Sequence, residues 1–431
     1  MFKKIALHGW RQFRNVDIDF HPQLTILTGA NGAGKTTLLN LVSRHFGWGS
    51  QFISTPSRRG SGPGLMYSTD FWNLDDDDED SDQFEAFEKR MFKRASQVAQ
   101  GPQTEIGEIV YWSDSRTSIT VPTGVVGSSY DVNINQQQSV EGLHIPSHRA
   151  TYSYQPVQSI PTIPRRRSEV FSQYSSLIRT RYGGGHTQWS PQYYMKETLI
   201  ALATFGYGNS AVESDPESAR VFEDFQEVLR RVLPPKLGFR RLIVRVPEVI
   251  LETETGSFSI DALSGGAAAV IDLAWQIFMF QPSGNQFVVT LDEPENHLHP
   301  ELQQRVLADL VNAFPAVQFV VATHSPFIVG SVPDSHVYVL DYDETKRVNS
   351  TLLDTVNRAG SANEILRDVL GLAFTMPIWV ESKLESLIER YSVQDFTVEI
   401  LDSLRSEMEL LGLGKHIPLT ISKVAERKDR A

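Results

Sequence analysis

Hydrophobic and polar positions fall into blocks short enough to predict most of the elements. Apolar runs in Lys4 to Leu7, Val16 to Phe20 and Leu24 to Thr28 predict three strands, followed by a glycine-rich turn and a helix from Lys35. Alternation returns at Ile106 to Trp112 and Ser118 to Pro122, and Ser113-Asp114-Ser115 between them predicts an antiparallel hairpin. Helical spacing follows at Tyr193 to Phe205 and at Pro216 to Val232, the second with Asp215 as N-cap and Pro216 at the first helical position. Arg240 to Glu252 alternates and turns back at Thr255-Gly256 into Phe258 to Ile260. Beyond Leu263 the pattern reads helix (Ala267 to Phe280), turn (Pro282 to Asn285), buried strand (Phe287 to Leu291), helix (Pro300 to Phe314) and strands at Val317 to Ala322 and His336 to Leu340. Short β-rich runs alternating with helices predict an α/β protein with a mostly parallel, helix-covered sheet.

The blocks between these elements divide the chain. From Gly49 to about Gln103 the composition turns to Ser, Gly and Pro and then to the acidic run Asp75 to Asp80, which predicts a solvated surface insertion with a helix from Gln83 to Gln97. Consecutive Asp side chains splay apart, so the run is not expected to hold a metal. Gln136 to Pro164, rich in Pro, Ser, Tyr and Gln, is expected to be a long functional loop. Ala362 to Arg430 reads as a helical tail with a break at Pro377, and no sustained heptad repeat predicts a coiled-coil arm. The expected boundaries are 1–48, 49–105 (surface insertion), 106–164 (antiparallel β lobe), 165–239 (helical subdomain), 240–345 and 346–431 (helical tail).

Composition narrows the chemistry. With 431 residues and 41% hydrophobic positions the chain can bury two or three packed units, and no run approaches the roughly 20 apolar residues of a membrane-spanning helix. The opening Met1 to Phe13 lacks an apolar signal core, so a cytoplasmic location without a membrane partner is expected. Zero cysteines exclude disulfides, thiolate metal sites and cysteine nucleophiles, and the eleven histidines form no zinc-like cluster. Any metal is then expected to be Mg²⁺ carried with a nucleotide. A net charge of -12 argues against a broadly basic nucleic-acid surface, although local patches survive an acidic total.

Four segments carry candidate chemistry. Gly29, Ala30, Asn31, Gly32, Ala33, Gly34, Lys35 and Thr36 fit the whole phosphate-loop pattern between a predicted strand and a predicted helix, which Thr37 continues. In such a loop backbone N–H groups surround the phosphates, the lysine reaches the β- and γ-phosphates and the Thr36 hydroxyl is the expected Mg²⁺ ligand. Asp292 and Glu293 end an apolar strand, where one acid suits a hydrated Mg²⁺ and the next can orient and deprotonate water. Leu263-Ser264-Gly265-Gly266 precedes a helix; alone it reads as a helix cap, and in this order as a second anion-binding helix start. His324 in Ala322-Thr323-His324-Ser325-Pro326 follows another buried strand, where a lone histidine is more often structural but in this order can sense a γ-phosphate.

Together these segments resemble the ABC ATPase set: phosphate loop, Leu-Ser-Gly-Gly signature, Asp-Glu-Pro-Glu with His-Leu-His-Pro, and Thr-His-Ser-Pro. Phe13-Arg14-Asn15 and Asn296-His297-Leu298-His299-Pro300 narrow the resemblance to RecF, SMC and overcoming-lysogenization-defect (OLD) type ATPases over residues 1–45 and 258–340. Ile145-Pro146-Ser147-His148-Arg149 and Ser361 to Leu366 extend it to stand-alone ATPases of bacterial anti-phage systems, such as the Septu ATPase subunit. The resemblance implies an ABC ATPase head, a P-loop NTPase fold with a mixed sheet plus an antiparallel lobe. It also implies ATP and Mg²⁺ as ligands and a homodimer or higher assembly, in which Ser264, Gly265 and Gly266 of one copy close on the γ-phosphate held by Lys35 of the other. Asn296 and His297 would then lie near the dimer seam, with Glu293, His324 and Lys35 as the catalytic set. Arg14 matches a position near the nucleotide and reads equally well as a surface ion pair. No glutamine stands in an unmistakable Q-loop frame; Gln155 is the candidate metal-side residue, and Ser147 to Arg149 is its possible replacement. Ala267 stands where transporter subunits typically have Gln.

Three functions compete. The leading one is an ATP-driven dimer that controls a separate nuclease-like effector in prokaryotic defence. The stretch after Leu340 is short and lacks a spaced acidic triad of the Glu…Asp-x-Asp kind, so a built-in nuclease is not expected, and the tail serves as a docking surface or a domain cap. The second is a RecF-like DNA-binding repair ATPase, with Arg165 to Arg167, Arg179, Arg181, Arg240, Arg241 and Arg245 as basic candidates interleaved by Tyr152, Tyr154 and Tyr174. These arginines read otherwise as solvated surface or as the outer face of a strand. A transporter nucleotide-binding subunit ranks last.

Overall fold

The computed structural model describes residues 1–57, 66–69, 103–123, 127–148, 154–163, 165–280, 282, 284, 286–354, 362–366, 378–392 and 397–429. The acidic run, the expected helix from Gln83 to Gln97, Arg149, Tyr152, Ser361 and Pro377 lie outside these residues. The described residues form two compact units, Met1–Ile365 and Leu366–Ala431.

In the first unit the strands in chain order are β1 (Phe2–Trp10), β2 (Phe13–Asp19), β3 (Leu24–Gly29), β4 (Phe52–Ile53), β5 (Thr55–Ser57), β6 (Met66–Ser68), β7 (Gln103–Tyr111), β8 (Arg116–Pro122), β9 (Ser129–Tyr130), β10 (Asn133–Ile134) and β11 (Gly142–Ile145). They continue with β12 (Phe239–Arg245), β13 (Glu248–Thr253), β14 (Gly256–Ser259), β15 (Phe287–Asp292), β16 (Val317–Ala322), β17 (His336–Tyr342) and β18 (Val348–Leu352). The helices are α1 (Lys35–Ser43), α2 (Arg167–Tyr182), α3 (Pro191–Tyr207), α4 (Pro216–Val232), α5 (Gly265–Met279), α6 (Pro300–Gln303), α7 (Val306–Ala313) and α8 (Pro326–Val329).

Eleven strands make one sheet in the order β10-β8-β7-β1-β2-β18-β17-β3-β16-β15-β11. The β10 to β2 side is antiparallel throughout. From β17 to β11 every neighbouring pair is parallel. Every residue of β3, β15 and β16 is buried, as a parallel strand covered on both faces requires. A separate antiparallel sheet β12-β13-β14 leads into α5. The sheet is thus mixed, parallel on one side and continued by an antiparallel lobe on the other.

Two expectations change. The stretch from Gln136 to Pro164 is not a loop throughout, because β11 adds a parallel edge strand beside β15, pairing Ile145 with Leu291. Its four residues are too few for a periodic signal between the prolines and glutamines. The helix expected over Pro300 to Phe314 is broken into α6 and α7 at Arg305, whose φ of -121° leaves the helical range and whose N–H donates to the Leu302 carbonyl at 3.2 Å.

The second unit contains α9 (Ile378–Ser392), α10 (Val398–Leu410) and α11 (Ile417–Asp429). They enclose a small core that includes Leu384, Leu387, Leu404, Met408 and Val424.

Candidate functional site: three strand ends and a distant helix start

The parallel strands β3, β16 and β15 lie side by side, so the loops leaving their C-terminal ends meet at one edge of the sheet, where open α/β sheets bind ligands. The phosphate loop leaves β3, His324 leaves β16, and Asp292 with Glu293 leaves β15. Gly29 has φ +131°, and a Cβ there would overlap the Leu340 carbonyl of β17, so no other residue can begin the loop. At Gly34, with φ +98°, a Cβ would overlap the Phe13 ring and the Gln12 amide. The tip of the first hairpin therefore packs against the loop, and Gln12 Nε2 donates to the Gly32 carbonyl at 3.4 Å.

Lys35 is 5% exposed, and its ammonium donates to the carbonyls of Gly29 (2.8 Å) and Ala30 (2.9 Å). Burial brings its pKa down to about 8, against the opposing pull of Glu293, Asp292 and Glu295. The Thr36 hydroxyl donates to the Asp292 carboxylate, at 3.3 and 3.2 Å from its two oxygens. Burial, with Glu293 next, pushes the Asp292 pKa up to about 6. A hydroxyl and a carboxylate facing each other beside a phosphate loop fit Mg²⁺, which prefers few protein oxygens and keeps phosphates and water as its other ligands.

Glu293 turns the chain with φ +47°, uncommon for a non-glycine residue, and its N–H donates to the Ala322 carbonyl at 2.9 Å. Its carboxylate stands 3.5 Å from His324 Nε2 and accepts from Asn296 Nδ2 at 3.0 Å. The same Asn296 amide reaches the Ser147 carbonyl at 3.2 Å, which brings the segment after β11 beside the acids. Burial and then Lys35 lower the pKa of His324, so at neutral pH its imidazole is neutral.

Sequence reasoning missed Glu295. One of its oxygens accepts from the Thr323 hydroxyl (2.6 Å), the His324 N–H (2.9 Å) and the Ser325 N–H (3.2 Å), so a buried carboxylate sets the histidine loop. Burial raises its pKa. Gln12 was also missed. Its only signal is its place beside the Phe13-Arg14-Asn15 segment.

The remaining candidates lie elsewhere. Ser264 and Gly265 are exposed at the start of α5, and Gly266 is half-buried. Every residue of α5 from Ala267 to Met279 is buried. The Ser264 side chain makes no cap bond, and Gly266 faces the loop that follows Glu293, where a Cβ would stand 3.1 Å from Leu302 Cδ1 and 3.4 Å from the His297 carbonyl oxygen. Arg14 pairs with Asp343 at 3.0 Å. The Gln155 Oε1 accepts from the Ser190 N–H at 2.8 Å, at the residue that caps α3. Most of the first basic cluster is engaged within the fold. Arg165 pairs with Glu197 (2.8 Å), Arg167 lies over the Phe278 ring (4.3 Å), Arg179 donates to the carbonyls of Phe46 and Gly47, and Arg181 donates to Thr187. Arg241 pairs with Glu252 across β12 and β13.

Two protein-family models match the chain. One, described as "AAA domain, putative AbiEii toxin, Type IV TA system", covers residues 147–330, and the other, described as "AAA domain", covers residues 4–139. Septu protein PtuA of Bacillus mycoides (strain KBAB4) is 28% identical over 179 residues, 39% of this chain and 24% of that protein. The Retron Vc95 probable ATPase of Vibrio cholerae serotype O1 biovar El Tor is 33% identical over 79 residues, 17% of this chain and 15% of that protein. The chain thus spans about a quarter or less of the length of these two relatives. Among solved structures, the SMC head domain from Thermotoga maritima aligns over 82% of this chain and 99% of its own, at 15% identity and a TM-score of 0.40. Among the described residues no helix is long and apolar enough to cross a membrane. Over parts of its length the chain is thus similar to AAA-domain proteins and to the ATPases named for Septu and retron systems, and its strand-end geometry is that of a phosphate-loop nucleotide site.

Proposed function

We propose that this chain is an ATP-hydrolysing dimerisation switch in the cytoplasm of a prokaryote, and that its ATP-closed dimer governs a separate nuclease-like effector in anti-phage defence. The observation that carries this reading is the division of the site. Lys35, Asp292, Glu293 and His324 gather at one sheet edge, whereas Ser264 and Gly265 stand exposed at the start of a helix that is buried from Ala267 onward. The first-turn N–H groups of such a helix favour an anion, and a second copy in a two-fold arrangement supplies one at each of two equivalent sites. The partial matches to Septu and retron ATPases support the defence setting.

In this reading Lys35 exchanges its loop carbonyls for the β- and γ-phosphates. Thr36 and Asp292 would hold Mg²⁺, whose charge would neutralise the phosphate oxygens. Glu293, oriented by Asn296, accepts a proton from the attacking water, and neutral His324 donates a hydrogen bond toward the γ-phosphate. Ser264, Gly265 and Gly266 of the second copy close over the same phosphate.

The test is Glu293→Gln with Mg-ATP, read by sedimentation and turnover. The variant is expected to dimerise with ATP while turnover falls by about 100-fold or more, and Lys35→Ala is expected to stay monomeric. Normal turnover in Glu293→Gln removes the assigned base. Purification of the trapped variant from its native host reads the partner. A stoichiometric nuclease-like protein supports the switch, and DNA without a protein partner favours the repair reading.

A further inference from the structure

Among the described residues of the first unit, a lysine more deeply buried than Lys35 lies outside the nucleotide cluster. Lys196 on α3 has a side chain 1% exposed. Its ammonium forms an ion pair with Asp261, donates to the Gln155 carbonyl at 2.7 Å, stands 3.6 Å from Glu248 Oε2 and lies 5.2 Å from the centre of the Tyr154 ring. Tyr154 in turn donates to Glu248 at 2.7 Å. One lysine thus joins α3, β13, the segment at Tyr154-Gln155 and the 3-10 turn Ile260–Ala262.

A buried ammonium in an ATPase invites a ligand reading, and the space around it decides against one. The cavity lined by Lys196, Asp261, Leu263 and Ala268 measures about 10 Å³, room for no more than one water. The charge is spent inside the fold. What it holds is specific: Asp261 belongs to the turn that runs directly into Leu263-Ser264-Gly265-Gly266. Further along α5 a second buried tie acts on the same helix, where Tyr174 of α2 donates to Asp272 and Gln276 donates to that carboxylate at 3.0 Å. The helix body is tied by Asp272 and by apolar packing, but Ser264 and Gly265 are exposed, and Asp261 is the ion-paired residue of the turn that leads into them.

We propose that Lys196 is the positioning residue of the Ser264–Gly266 helix start: through Asp261 it sets the direction in which those N–H groups face a nucleotide on a second copy. The proposal rests on the dimer reading. It adds that presentation of this helix start is fixed from within the same chain before any partner arrives. Lys196 itself touches neither nucleotide nor partner.

The experiment uses full-length protein carrying Glu293→Gln for dimerisation, and the same substitutions in the otherwise native chain for turnover. Lys196→Met and Asp261→Ala are each expected to leave binding of a fluorescent ATP analogue by the monomer within about twofold. Each is expected to weaken ATP-dependent dimerisation by about tenfold or more and to lower kcat in proportion. The double variant is expected to lose no more than the worse single one, because the two residues act as a unit. Asp261→Glu, which keeps the charge, is expected to restore dimerisation. If Lys196→Met does not fold, the Asp261 pair decides. Dimerisation and kcat unchanged in folded Asp261→Ala would overturn the proposal and leave the dimer reading intact. A parent Glu293→Gln protein that stays monomeric with ATP would remove both.

Discussion

Replacing Glu295 with alanine tests whether the histidine loop is held by a buried carboxylate. The substitution removes one acceptor and strands three donors, on Thr323, His324 and Ser325. Hydrogen bonds to a charged acceptor contribute about 1.5 to 3 kcal/mol each, so the gross loss is about 4 to 9 kcal/mol. Against it stands relief from burying a carboxylate whose other oxygen, Oε2, is buried and takes no hydrogen bond, an offset of several kcal/mol. The net is on the order of 2 to 4 kcal/mol, which lowers Tm by about 4 to 8 °C. Turnover should fall further than stability alone dictates, because the His324 N–H loses its partner while Nε2 must stay 3.5 Å from Glu293; a drop of about 10- to 100-fold in kcat is expected. Glu295→Gln keeps an acceptor of the same shape and should lie between the parent and alanine on both scales. The assays are thermal unfolding without nucleotide and steady-state phosphate release at saturating Mg-ATP. Parent-like Tm and kcat in Glu295→Ala would refute the reasoning.

Two further outcomes follow from the site. With its pKa near 6, the Asp292 carboxyl holds a proton that Mg²⁺ must displace, so the Mg²⁺ concentration for half-maximal turnover should rise by up to about tenfold per unit as pH falls below 6, and a flat profile from pH 5 to 7.5 would count against it. The sign for stability is the reverse of that for a paired carboxylate: this group's contribution to the nucleotide-free fold is full below the usual carboxylate pKa near 4 and is lost as pH rises through about 6. Gly34→Ala should abolish ATP binding with secondary structure retained by circular dichroism, because its Cβ meets Phe13 and Gln12, whereas Gly9→Ala, which meets nothing within 4 Å, should still bind.

The phosphate loop, the acids after β15 and the histidine after β16 were legible because each is a local strand-to-turn transition written in consecutive residues. The helix at Pro216–Val232 was legible to the residue because Asp215 accepts from the N–H groups of Glu217 and Ser218 as an N-cap should. Glu295 and Gln12 were not, since each acts on residues distant in sequence, and a carboxylate inside Asp-Glu-Pro-Glu gives no sign of which backbone it will meet. The internal partners of the arginines from Arg165 to Arg181 were hidden for the same reason. Charge spacing announces a basic surface, but the partners that absorb it, Glu197, Phe278 and the carbonyls after α1, come from three other parts of the chain. The bond from the Ser190 N–H to the side chain of Gln155, the candidate metal-side residue, likewise joins segments far apart in sequence.

The strand β18 has a consequence for how the chain is made. Among the described residues it lies between β2 and β17 and so joins the antiparallel lobe to the parallel strands that carry the phosphate loop. On the ribosome, β1, β2, β7 and β8 emerge early and can pair with one another, but one edge of β2 waits until residues 348–352 arrive. Until then that edge lacks its neighbour in the finished sheet, and an unpaired strand edge is a place where chains can associate wrongly.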